Sequence, residues 1–165
     1  MGEAMMREYQ RSTKECRLGE LRPELVAAIR AYLEKHLDKD EFGGVESSIV
    51  LCAETTSEHL KKGFMAKLTG GGDKIRHTAM VLTPSLLIWS TTDEKHGPAT
   101  LAVRLKEAEI TDFKSPLPQI EDDGLQVVGF SLRATERMSA FIGLGQETSA
   151  QKIRETVKET ARNAK

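Results

Sequence analysis

The densest chemistry in this sequence is electrostatic. Between positions 61 and 76, Lys61, Lys62, Lys67, Lys74 and Arg76 oppose a single acid, Asp73, so the stretch carries +4 in a chain of net charge −1. Gly70-Gly71-Gly72 lies inside it. Several cations on a glycine-flexible backbone can converge on a multivalent anion, and an arginine can hold phosphate bidentately. Lys62, Lys67, Lys74 and Arg76 are therefore the candidate ligands for a phosphate ester or an anionic lipid headgroup. Phe64 and Met65, in the same stretch, are suited to dip into a bilayer interface. The triple glycine itself is not a phosphate loop, because no GxxxxGK[ST] pattern is present and a strand, not a helix, is expected to follow.

The opposite asymmetry runs from Glu107 to Asp123. Glu107, Glu109, Asp112, Glu121, Asp122 and Asp123 face one base, Lys114, giving −5. A solvated acidic connection is the simplest reading. Its charge also complements the basic stretch, so self-association through the two patches is a second reading. Pro116 and Pro118 mark the segment as a connection.

No motif points to catalysis, to a metal or to a cofactor. His36, His59, His77 and His96 fall on four different expected elements, without HExxH or His-Cys spacing. No nucleophile elbow is present. Cys16 and Cys52 belong to no CxxC pair, and no secretory or membrane-spanning run of apolar residues precedes or follows them. Free thiols in a reducing cytoplasm are expected, with a disulfide between them as the alternative. With 39% apolar and 30% charged residues at near-zero net charge, nothing biases the chain toward nucleic acid.

The elements that must position these residues follow from periodicity. Residues 1–19 are polar, and Tyr9 to Leu18 reads either as an edge strand or as a mobile tail. Leu21, Leu25, Ile29, Leu33 and Leu37 recur at spacing four, which predicts an amphipathic helix over 21–37, with Pro23 suited to its first turn. After Gly43-Gly44 the period shortens. Strands are expected at Ile49–Thr56, His77–Leu82, Leu86–Thr92, Ala99–Leu105, Glu109–Lys114, Leu125–Leu132 and Met138–Leu144. Thr83-Pro84-Ser85 should turn the second into the third as a hairpin. In Ala99–Leu105, Leu101, Val103 and Leu105 point one way and Thr100, Ala102 and Arg104 the other. A helix over about 148–162 closes the list. Thr148 and Gln151 fit a capping box, and Ala150, Ile153, Val157 and Ala161 form its apolar stripe. Trp89, the only tryptophan, is expected in the core.

Three segments carry a likeness to a known family. Leu82-Thr83-Pro84-Ser85-Leu86-Leu87-Ile88-Trp89, Leu105-Lys106-Glu107-Ala108-Glu109-Ile110 and Phe141-Ile142-Gly143-Leu144-Gly145 resemble the second hairpin, the fourth-to-fifth strand crossing and the approach to the last helix of bacterial pleckstrin-homology (PH-like) and GRAM-like domains. The resemblance spans about 47–165. It implies a mainly β, α+β fold: a seven-stranded antiparallel PH-like barrel capped by the C-terminal helix, to which the helix at 21–37 would be an N-terminal addition. The chain then divides into a tail plus helix at 1–45 and the barrel with its helix at 46–165. In lipid-binding members of that family the loop between the first two strands holds an inositol phosphate, and Lys62 and Lys74-Ile75-Arg76 fall in matching places. Lys95, Arg133 and Arg137 would add charge at the same end. The functional expectation is a non-enzymatic interaction or scaffold module with a protein or peptide partner. The alternative is anionic-lipid binding through 61–76.

Overall fold

The computed structural model describes residues 6–7, 9–59, 75–93, 95–113, 120–132 and 135–165. The chain opens with two strands, β1 (Met6–Arg7) and β2 (Tyr9–Cys16). Helices α1 (Pro23–His36) and α2 (Lys39–Val45) follow. Eight strands come next: β3 (Leu51–His59), β4 (Ile75–Leu82), β5 (Leu86–Asp93), β6 (Ala99–Arg104), β7 (Glu109–Asp112), β8 (Ile120–Glu121), β9 (Gly124–Phe130) and β10 (Arg137–Gly143). Helix α3 (Thr148–Asn163) is the last element.

The strands form two antiparallel sheets and one short parallel pair. One sheet runs β2-β3-β4-β5-β6, the other β10-β9-β7, and β1 lies parallel to β8. The expected hairpin is present. Thr83 makes its turn, its N–H donating to the Leu86 carbonyl at 2.9 Å while its hydroxyl accepts from the Leu86 N–H at 2.9 Å. A threonine hydroxyl that bonds its own turn backbone fixes the chain reversal locally.

Strands β3 to β6 of the five-stranded sheet bury side chains on both faces, and this sets the architecture. Leu51, Ala53, Met80, Leu82, Leu87, Trp89 and Val103 look into a core shared with Leu125, Val127 and Ile142 of the small sheet and with Ala150, Ile153, Val157 and Ala161 of α3. Cys52, Ala79, Val81, Leu86, Ile88 and Ala102 look the other way, into a second core with Leu25, Val26, Ile29, Tyr32 and Leu33 of α1. The result is three layers: α1 and α2, then the large sheet, then the small sheet with α3. Burial on both faces explains why β5 reads Leu-Leu-Ile-Trp without alternation.

Two parts of the sequence expectation are corrected here. The barrel does not close. Its seventh strand would have to find a free edge on the first, but both edges of β3 are taken, by β2 over eight residue pairs and by β4. β10 therefore ends its sheet. The large and small sheets meet at one corner through an isolated bridge, Val103 to Ser131, and a bond from the Leu132 N–H to the Ala102 carbonyl at 3.1 Å. Nor is there an appended N-terminal helix. α1 follows β2, which is part of the large sheet, and its apolar stripe supplies one side of a core. The start of α3 also differs in detail. Glu147 is the N-cap, and no side-chain bond caps the helix. Among the described residues no helix is long and apolar enough to cross a membrane.

Candidate functional site

Of the four candidate anion ligands, Lys62, Lys67 and Lys74 lie outside the described residues. Arg76 is exposed on β4, opposite Ser57 on one side and Asp93 on the other. Asp93 is engaged by its own turn. Its carboxylate accepts from the Lys95 N–H at 2.9 Å and the His96 N–H at 2.7 Å, which, together with the His96 ring, hold its pKa below the ordinary value. Lys95 is exposed, Arg133 lies outside the described residues, and Arg137 pairs with Glu109 at 3.6 Å.

The acidic stretch is largely spent on internal partners. Asp112 receives Lys158 at 3.0 Å and Arg154 at 3.7 Å, which fastens α3 to β7. Asp123 accepts from the Gln146 side chain at 2.7 Å. Asp122 pairs with Arg11. The histidines are dispersed. His36 lies against Tyr32, His59 against Tyr9, and His96 against Asp93. His77 meets the Thr56 hydroxyl at 3.4 Å, and burial, then the Arg22 charge, lower its pKa. Among the described residues no three His, Cys, Asp or Glu side chains gather as a metal site would require.

Two features that the sequence did not single out are built into the fold. The first is Arg11 on β2. Its guanidinium pairs with Asp122, donates to the Ser57 hydroxyl at 3.1 Å, and lies 4.7 Å from the Tyr9 ring and 5.2 Å from the Phe141 ring. The side chains of Arg11 and Asp122 are only 9% and 19% exposed. Gly143 makes room for this arginine, since a Cβ there would run into the guanidinium. Beside it, the Gly145 N–H donates to the Thr13 hydroxyl at 2.8 Å, and that hydroxyl also shares a hydrogen bond with the Thr55 hydroxyl at 2.8 Å. The Ser149 hydroxyl donates to the Thr13 carbonyl at 3.0 Å. These side-chain bonds hold the two sheets together where no ladder does. A hollow of about 370 Å³ beside them is lined by Tyr9, Gln10, Arg11, Gly145, Gln146 and Glu147. Its one buried cation already has a carboxylate.

The second feature is an apolar hollow of about 180 Å³ between α1, α2 and the large sheet, walled by Leu18, Val26, Ile29, Phe42, Ile49 and Val81. α1 forms one wall with Val26, Ile29 and Leu33. α2 forms another. It begins at Asp38, whose carboxylate accepts the Glu41 N–H at 2.8 Å, and it is tied to β6 by the Glu41–Arg104 pair. At the mouth, Arg30 and Glu46 pair at 2.7 Å with both side chains more than half exposed. Next to Ile49 on the rim, Val50 is 46% exposed, the most exposed large hydrophobic residue among those described. No sequence pattern marks this hollow, because Leu18, Phe42, Val45 and Ile49 lie on separate segments and meet only in the fold.

Comparison with protein-family models, with curated proteins and with solved structures found no match. The resemblance to PH-like domains thus rests on the quoted segments alone.

Proposed function

We propose that this chain is a non-enzymatic interaction module that receives one large apolar side chain of a partner peptide in the hollow between α1 and α2. The observation that carries this reading is the hollow itself, an apolar recess of about 180 Å³ between α1, α2 and the large sheet. A recess of roughly 150 Å³ takes a benzene ring, so the volume suits one leucine or phenylalanine anchor. Burying such a side chain is worth about 1.5–3 kcal/mol, the scale of an interface hot spot. The exposed Arg30–Glu46 pair offers one cation and one anion to polar groups flanking the anchor.

The test is selection of phage-displayed random peptides on the immobilised chain, followed by fluorescence anisotropy with the winners. They should share a Leu, Ile, Phe or Trp anchor and bind one to one. Ile49→Trp fills the hollow from its half-buried rim, and should weaken binding by tenfold or more while circular dichroism stays unchanged. Winners without an apolar anchor, or winners that bind Ile49→Trp as well as the parent, would refute the proposal.

A further inference from the structure

We infer that Cys16 and Cys52 form a modification site, a dithiol that small-molecule disulfides of the glutathione class convert into a cross-strand disulfide between β2 and β3. The two cysteines are direct partners in the antiparallel register. They also share a face. Cys52 belongs to the core beneath α1, and Cys16 packs against that same core. Directly opposed residues of an antiparallel pair have Cα atoms about 4.5 or 5.5 Å apart, depending on the hydrogen-bonding position. Either separation falls inside the window of about 4.4–6.8 Å that a disulfide accepts. The β2–β3 ladder therefore sets the two cysteine backbones at a separation that a disulfide accepts before any oxidant arrives.

Exposure divides the roles. Cys16 is half-buried at the end of β2, whereas Cys52 is 2% exposed, so a reagent from solution reaches Cys16 first. The Cys16 thiolate attacks one sulfur of the reagent, forming a mixed disulfide and releasing one small thiol. The Cys52 thiolate then attacks the Cys16 sulfur, closing the protein disulfide and releasing the second small thiol. Two protein thiols are oxidised and one reagent disulfide is reduced to two thiols. No other electron acceptor is required.

Burial supports both the stability and the slowness of this step. It pushes the Cys52 thiol up to about 11 and raises Cys16 as well, with Glu54 adding to the second shift. A disulfide becomes more oxidising when its reduced form is stabilised as a thiolate, and burial stabilises neither thiolate here, which leaves the disulfide form comparatively favoured. Attack proceeds through the thiolate and quickens as pH rises. Location adds a consequence. Leu18 follows two residues after Cys16, and Val81 is the register partner of Cys52. Both line the apolar hollow, so the bond would form behind its wall.

The experiment uses the full chain, reduced, desalted and incubated with oxidised glutathione at about pH 8.5, the ordinary thiol pKa. Intact mass and peptide mapping are read without reductant. The expected product is a single chain lacking two hydrogens, with Cys16 joined to Cys52 and restored by dithiothreitol. The Cys52→Ser variant should stop at one glutathione on Cys16. Wild-type protein that remains fully reduced, that keeps glutathione on Cys16 without closing, or that links only between chains would overturn the inference, whether or not the variant folds.

Discussion

Arg11→Met is the most informative single change in this chain. It keeps most of the apolar stem and removes the guanidinium, which bonds Asp122 and Ser57 and lies over two rings. Removing one partner of a buried ion pair costs about 3–5 kcal/mol when the other charge is left stranded. Here Asp122 is 19% exposed and also accepts the Asp123 N–H at 2.9 Å, so water and backbone can partly compensate. The lower end applies to the pair, and loss of the ring contacts adds about 0.5–1 kcal/mol. The expected total is about 3–4 kcal/mol, read as a fall in the urea midpoint at unchanged slope. For a chain of this length that is roughly 6–16 °C in Tm. The double variant Arg11→Met with Asp122→Leu removes the stranded carboxylate. It should be more stable than the sum of the single variants by more than 1 kcal/mol. A loss below 1 kcal/mol for Arg11→Met, or strict additivity in the double variant, would show that Arg11 does not join the two sheets energetically.

Two further outcomes follow from the layered core. Leu25→Ala, on the buried face of α1, should cost about 2–5 kcal/mol in denaturant unfolding; a loss under 1 kcal/mol would mean that α1 is not integral to the fold. Trp89 is the only tryptophan and is 6% exposed between the sheets, so its emission should be blue-shifted in the native state, resist iodide quenching, and shift to the red in one step with loss of helical circular dichroism. Separate transitions would show that the two cores unfold independently.

Local structure was legible in the sequence where local chemistry decides it. Thr83-Pro84-Ser85 turns the chain by its own hydroxyl bonds, and the apolar stripe of α3 needs only its own spacing. What escaped was pairing between distant segments. β2 is polar along most of its length, with Thr13 its one fully buried position, so its sequence does not separate a strand from a tail. Its eight pairs with β3 decide the matter, and those same pairs take the edge that closure of a barrel would need. The run Leu86-Leu87-Ile88-Trp89 did signal a strand covered on both faces, yet a barrel wall buries only one. Arg11 was invisible as a site because its partner lies 111 positions away. Cys16 and Cys52 likewise become a pair only through register. The basic stretch stood out by composition, but of its four candidate ligands only Arg76 is among the described residues.

The bonds from Thr13 to Gly145 and Ser149 also impose a schedule on biosynthesis. Their partners are translated 132 and 136 residues later. At about 5–20 residues per second, β2 leaves the ribosome roughly 7–27 s before the segment that will satisfy it. Over that interval β3, β4 and β5 arrive and α1 can cover one face of the growing sheet. The opposite face, with Met80, Leu87 and Trp89, is covered only later, first by Leu125, Val127 and Ile142 of the small sheet and last by residues 150–161. The residues of the first core are thus all synthesised before those that complete the second. The interval between them is when a chaperone would find its binding site.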